Sequence, residues 1–167
     1  MSYRDLKTYQ SAVIIYDFTV EFCNRYIDKR SRTHDQMVQA ARSGKQNIVE
    51  GSSERTSKKS ELKLLGVSRA SFQELLEDYE DFLRQRRFVL WGKDSVEARE
   101  VRGFAYKTDK SYQTYQSYLP DPARAANCMV CLINQENFLL DRQITSLEEK
   151  FVQSGGYTEE LFRKRLD

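Results

Sequence analysis

The chain has little of what breaks or cross-links secondary structure: its 167 residues include 2 Pro, 7 Gly, 3 Cys and a single His. There is no Ser/Gly-rich tract, low-complexity run or internal repeat, which excludes disordered, collagen-like and solenoid architectures and leaves no linker between two domains. A single domain over residues 1–167 is therefore expected, long enough to bury its own core. Three cysteines, an odd number, predict free thiols in a reducing compartment. No apolar run approaches the roughly 20 residues that a bilayer span needs. The opening Met-Ser-Tyr-Arg-Asp lacks the apolar stretch of a signal peptide. These features predict a cytoplasmic protein with no membrane contact.

The scarcity of histidine removes most chemistry. His34 stands at a helix start beside Asp35, and with no nucleophile or metal to act on it reads as a surface or capping residue. There is no phosphate-cradling glycine loop, no G-x-S-x-G and no H-E-x-x-H. Cys128 and Cys131 have C-x-x-C spacing, but a structural zinc wants four ligands and only Cys23 and His34 remain; all three thiols read as small core hydrophobes. The carboxylates Glu74, Glu77, Asp78, Glu80 and Asp81 lack the Glu-x-x-His pairs of a di-metal bundle, so they form a solvated face or a partner for cations. The expectation is a non-enzyme with no catalytic residue, no metal and no cofactor.

Helical periodicity is abundant. Four long segments repeat apolar residues at steps of three and four, and none alternates as a strand. The first spans about 5–28 with Tyr9, Ala12, Val13, Tyr16, Val20, Cys23 and Ile27 on one face. The second, about 33–51 with Thr33 as N-cap, carries a small-residue stripe of Ala40, Ala41, Gly44 and Gly51, over which a neighbouring helix can approach closely. The third spans about 57–88, starting after Thr56 or Ser57, and the fourth about 122–151, from Pro122 towards a stop at Gly155-Gly156. A short helix is expected around Ser95–Arg102, and another at 158–166. Together these predict an all-α, antiparallel up-down-up-down four-helix bundle with a short C-terminal helix.

Charge becomes informative once this topology is assumed. Against a net +2, residues 1–60 carry 11 cations and 7 anions, 61–83 carry 2 and 6, and 84–124 carry 9 and 5. An up-down-up course puts the turn with Arg25, Lys29, Arg30 and Arg32 beside the third helix's end with Arg84, Arg86 and Arg87. Arg55, Lys58 and Lys59 would meet Arg163, Lys164 and Arg165 at the opposite end. Two readings stand for these basic ends: contact with a nucleic-acid backbone or acidic partner, or simple complementation of helix C-termini. Arg42, Asn47 and Glu50 read as a buried polar network to the third helix or as a recognition surface. Tyr106, Tyr112, Tyr115 and Tyr118, interleaved with Lys107 and Lys110, read as rings packed on the bundle or stacked on unpaired bases.

The stretch from Tyr9 to Arg87 resembles a known family. Met37-Val-Gln-Ala-Ala-Arg-Ser-Gly-Lys-Gln-Asn-Ile-Val-Glu-Gly51, followed by Ser57-Lys-Lys-Ser-Glu-Leu, is similar to the four-helix-bundle proteins encoded in 23S rRNA intervening sequences and to the accessory variability protein of diversity-generating retroelements. Ser111-Tyr-Gln-Thr-Tyr and Leu139-Leu-Asp-Arg-Gln-Ile144 resemble the branch called four helix bundle suffix proteins. The resemblance implies an up-down bundle, a homo-oligomer that is a pentameric ring in relatives, a basic surface suspected of binding RNA or DNA, and no catalytic residues. Arg42, Ser43, Asn47, Glu50 and Gly51 match its motif. The alternative expectation is a structural or protein-interaction module without nucleic-acid binding.

Overall fold

The computed structural model describes residues 2–53, 55–154 and 156–166, with side chains for all of these except 154 and 156–159. Among the described residues the chain is all-helical, with no strand. In order come a 3-10 turn Tyr3–Asp5, α1 Lys7–Tyr26, α2 Arg32–Gly51, α3 Lys58–Gln85, α4 Val96–Gly103, a 3-10 turn Phe104–Tyr106, α5 Tyr112–Tyr115, a 3-10 turn Gln116–Tyr118, α6 Pro122–Ser154 and α7 Gly156–Leu166. No helix of the described chain is long and apolar enough to cross a membrane.

Serines start three of the helices. The hydroxyls of Ser31, Ser57 and Ser95 accept the backbone N–H groups of His34, Ser60 and Ala98, satisfying donors that a helix start leaves without a partner. The N-cap of α2 is thus Ser31 rather than Thr33, and the helix begins one residue earlier than expected. The first segment also differs. Leu6 is extended, so an initial 3-10 turn precedes α1, and Ile27, extended at φ −115° and ψ 131°, ends it. α3 stops at Gln85 rather than Phe88. The expected stop at Gly155-Gly156 lies partly outside the described residues; α6 reaches Ser154 and α7 starts at Gly156.

The four long helices pack in a closed circuit, α1 on α2, α2 on α3, α3 on α6 and α6 on α1. Their inner faces supply one core, including Ile15, Phe18, Met37, Ile48, Phe72, Tyr79, Met129 and Ile133, all fully buried. Rings of Phe22, Tyr79 and Phe82 meet at centroid distances of 4.9 Å, and the buried Thr19 and Tyr79 hydroxyls share a 2.8 Å hydrogen bond. That bond lets a phenol occupy the core without a desolvated, unpaired oxygen.

The α2–α3 seam is the tightest. A Cβ on Gly44 would stand 2.5 Å from Cζ of Phe72, so only glycine lets the ring lie against the α2 backbone. Ser68 donates to the Gly44 carbonyl at 2.7 Å, and the Ser43 and Ser71 hydroxyls are 2.9 Å apart. Gly51 is buried further along, where a Cβ would make ordinary contact with Leu64. Gly66, by contrast, is exposed in mid-helix with nothing near its missing Cβ.

Two glycine substitutions should therefore act oppositely in urea unfolding. Gly44→Ala is expected to cost about 1–3 kcal/mol, because ring displacement outweighs alanine's helix propensity. Gly66→Ala should stabilise by about 0.5–1 kcal/mol. Equal effects at the two sites would refute the close packing of Phe72 on α2.

Candidate nucleic-acid interface

The turn between α1 and α2 is built from its own polar atoms. Asp28 accepts the Arg30 N–H on its side chain at 2.9 Å and the Ser31 N–H on its carbonyl at 2.9 Å, the local bonding that favours Asp in turns. His34, whose Nε2 lies 3.2 Å from Asn24 Oδ1, ties the start of α2 back to α1, while the cap of α2 is Ser31.

α3 ends beside this turn. Arg87 has φ 59°, and the Phe88 N–H reaches the Leu83 carbonyl at 2.9 Å while the Arg87 N–H reaches that of Arg84 at 3.1 Å. This is the two-bond helix stop whose left-handed residue is usually glycine. An arginine there costs about 1 kcal/mol of backbone strain. Between the turn and the end of α3 lies a shallow cavity of about 250 Å³, lined by Ile27, Asp28, Asp78, Asp81, Phe82 and Arg86 among others.

All seven cations picked from the sequence for this end are exposed: Arg25, Lys29, Arg30, Arg32, Arg84, Arg86 and Arg87. Their surroundings differ. Arg25 pairs with Glu21 at 2.8 Å and Arg84 with Asp81 at 2.9 Å. The Arg86 guanidinium lies over the Phe82 ring, 3.8 Å from its centroid, a favourable cation–π position. Lys29, Arg30, Arg32 and Arg87 make no ion pair among the described residues. The cavity itself is lined by three carboxylates, Asp28, Asp78 and Asp81, and by one of these cations, Arg86. Asp78, half-buried, is pushed up to about 6 by burial first and then by Asp81, Glu74 and Glu77.

The motif residues of α2 divide. Ser43 and Asn47 belong to the seam, with the Asn47 amide donating to the Ser43 carbonyl at 2.8 Å and hydroxyl at 3.1 Å, and Gly51 is buried. Arg42 and Glu50 are exposed, so the expected network of Arg42, Asn47 and Glu50 does not form: two of its members face water. Of the tyrosines, Tyr115 and Tyr118 are buried, Tyr112 packs on Phe18 at a centroid distance of 6.4 Å, and Tyr106 is 89% exposed. Packing takes three of the four rings. At the opposite end Lys58 lies 4.0 Å from Glu160, joining α3 to α7.

The thiols are free, with Cys23 and Cys128 buried and Cys131 half-buried. Burial raises all three, Cys23 to about 12, so none is a ready thiolate. Among the described residues no group of three or more His, Cys, Asp and Glu is placed to hold a metal ion.

Two side chains passed over in the sequence are prominent in the structure. Asn127, 1% exposed, bonds the chain after α3. Glu136 is fully buried, neither carboxylate oxygen has a hydrogen-bond partner among the described residues, and burial raises it well above the usual carboxylate range against the opposing pull of Lys110. Its position was readable, three residues after Ile133 and four before Leu140, on the apolar stripe.

Comparison with protein-family models, curated proteins and solved structures gives no match to this chain.

Asp78 makes a pH prediction. Because its folded value, about 6, lies above the ordinary aspartate value of 3.8, the fold favours the protonated form, and stability falls as pH rises between these values. Asp78→Asn should flatten that slope and stabilise the protein at pH 7 by about 1 kcal/mol after solvent screening. Thermal unfolding at pH 4.5, 6 and 7.5 checks both; an unchanged slope contradicts the assignment.

Proposed function

We propose that this chain is a non-enzymatic, cytoplasmic, up-down-up-down four-helix bundle that binds the RNA or DNA backbone through the basic end formed by the α1–α2 turn and the end of α3. The bundle reading is supported by three of the four helix seams. Tyr16 meets Lys45 while Cys23 meets Met37; Gly44 meets Phe72 while Gly51 meets Leu64; Thr8 meets Gln143 while Tyr26 meets Leu119. On these three, residue numbers rise along one element as they fall along the other, Leu119 lying just before the start of α6. Oligomerisation, as a pentamer, comes from the family resemblance alone.

One observation carries the binding reading: two basic segments more than 50 residues apart in sequence meet at one cavity, lined by Asp28, Ser31 and Thr33 from the first and by Gln85 and Arg86 from the second, and Lys29, Arg30, Arg32 and Arg87 of these segments make no ion pair among the described residues. The left-handed Arg87 adds to it. A position that glycine would fill without strain carries a guanidinium instead, as expected where a side chain is retained for contact rather than stability. The second reading, a protein-interaction module without nucleic-acid binding, draws on Asp28, Asp78 and Asp81 between the two basic segments.

The deciding measurement is binding of nuclease-treated protein to labelled structured RNA, single-stranded DNA and duplex DNA at two salt concentrations, with the mass of the free protein. Affinity should fall steeply with salt, and Arg30→Glu, Arg32→Glu and Arg87→Glu together should weaken it by at least about tenfold for every sequence tested. Absence of binding at low salt, or indifference to that triple reversal, leaves the interaction module. A single-subunit mass removes the oligomer.

Arg87→Gly separates binding from folding. It should raise stability by up to about 1 kcal/mol by relieving the left-handed strain while weakening nucleic-acid binding and lowering the salt slope by about 1. Gain of stability with unchanged affinity would remove Arg87 from the interface.

A further inference from the structure

The segment joining α3 to α4 is apolar where a connector should be polar. Phe88-Val-Leu-Trp91 follows Arg86-Arg87, and Val89 is 80% exposed, Leu90 50% and nearby Val96 78%. Residues 88–92 are neither helix nor turn.

Their backbone is held by one side chain. Asn127 of α6 donates Nδ2 to the Val89 carbonyl at 2.9 Å and accepts the Trp91 N–H on Oδ1 at 2.8 Å. A single amide that satisfies the carbonyl of one residue and the N–H of the next but one imitates a neighbouring β-strand. In an extended chain those two groups lie on one edge, and the residue between them turns its own N–H and carbonyl to the other. That residue is Leu90, half exposed, whose N–H and carbonyl have no hydrogen-bond partner among the described residues. One edge of this segment is thus bonded from inside, and the other has no partner among the described residues, a template for strand addition.

We propose that the free edge centred on Leu90 docks an extended segment of a partner protein by β-augmentation, and that this segment alternates apolar side chains and is flanked by acidic residues. The flanking charge follows from Arg86 and Arg87 before the edge and Lys93 after it, all exposed, against which carboxylates at the peptide's ends are favourable. The edge offers a donor and an acceptor side by side, which a peptide main chain matches on both counts. A phosphodiester has no donor. Nor is Trp91 open for stacking on a base, since its ring is taken by Tyr118 at 6.2 Å and by the Arg124 guanidinium at 5.8 Å. The proposal is independent of nucleic-acid binding, although Arg86 and Arg87 lie close to both surfaces.

The test titrates isotope-labelled, full-length protein with a synthetic peptide of alternating Val and Thr flanked by Asp and Glu, followed by amide chemical shifts. A second peptide of the same sequence is N-methylated on the backbone at its central residues, leaving the protein untouched. Shifts should centre on Leu90, and N-methylation should weaken binding at least about tenfold. Leu90→Pro, which removes the N–H while keeping an extended backbone, should weaken it at least about tenfold, and Leu90→Ala by no more than about threefold. Shifts that are absent at millimolar peptide or centred elsewhere, or equal binding of the methylated peptide, would overturn the proposal. So would a Leu90 amide that moves with protein concentration alone, which assigns the edge to a second copy. Displacement of the peptide by single-stranded DNA with no effect of Leu90→Pro would assign the surface to phosphate contacts instead.

Discussion

The approach of Phe72 to the backbone of α2 at Gly44 sets the geometry on which the rest depends. With no Cβ at that point, the ring lies where any other residue's side chain would stand, its Cζ 2.5 Å from where a Cβ would be, and the helices come close enough for Ser68 to reach the Gly44 carbonyl. Serines at 43, 68 and 71 then satisfy one another and the backbone instead of water. A slip by one turn would bring Ala40 or Ile48 opposite the ring, each with the Cβ that Gly44 lacks. The register of α2 on α3 follows, and with it the placement of the α1–α2 turn against the last turn of α3.

What happens at that end is a competition between helix-end chemistry and surface charge. Cations near a C-terminus complement the helix dipole wherever they occur, so their presence alone says little. Arg25 and Arg84 are accounted for by carboxylates on their own helices, and Arg86 by a ring. The remaining four are not. The carboxylates lining the nearby cavity keep the end from being uniformly positive, and half-buried Asp78, whose neighbours are also carboxylates, is the group through which pH acts on it.

The connector after α3 shows the same economy of parts. Asn127, one residue before Cys128 in a run of buried residues on α6, bonds the Val89 carbonyl and the Trp91 N–H, and so fixes an apolar stretch of the connector to the bundle. Glu136, ten residues before Ser146 on the same helix, is the opposite case: a polar group in the core without a partner among the described residues, at a cost that favours its neutral form.

Much of the architecture was legible because it rests on period and composition. The 3.6-residue repeat marks α1, α2, α3 and α6 to within a few residues, and the small stripe on α2 marks its tight seam. Boundaries failed where a residue's backbone rather than its side chain decided: extended Leu6 and Ile27, and left-handed Arg87, carry no residue type that announces a stop. The α5 turn and its flanking 3-10 turns were missed because segments of three or four residues are too short to show a period. At the candidate site, Arg30, Arg32 and Arg87 were visible as charges, but their freedom and the pairing of Arg25 and Arg84 were not. Asn127 gave no sign of its role, since a lone asparagine on an apolar face looks like an error in the stripe until the main chain it serves is known. The amino-acid sequence by itself thus determined helical class, the length of the long helices and the absence of recognisable catalytic motifs, because these depend on neighbours within a turn or two. The tertiary structure decided which cations are spent on carboxylates, which buried polar groups are satisfied and which backbone edge is left open, because each of these is a contact between residues tens of positions apart.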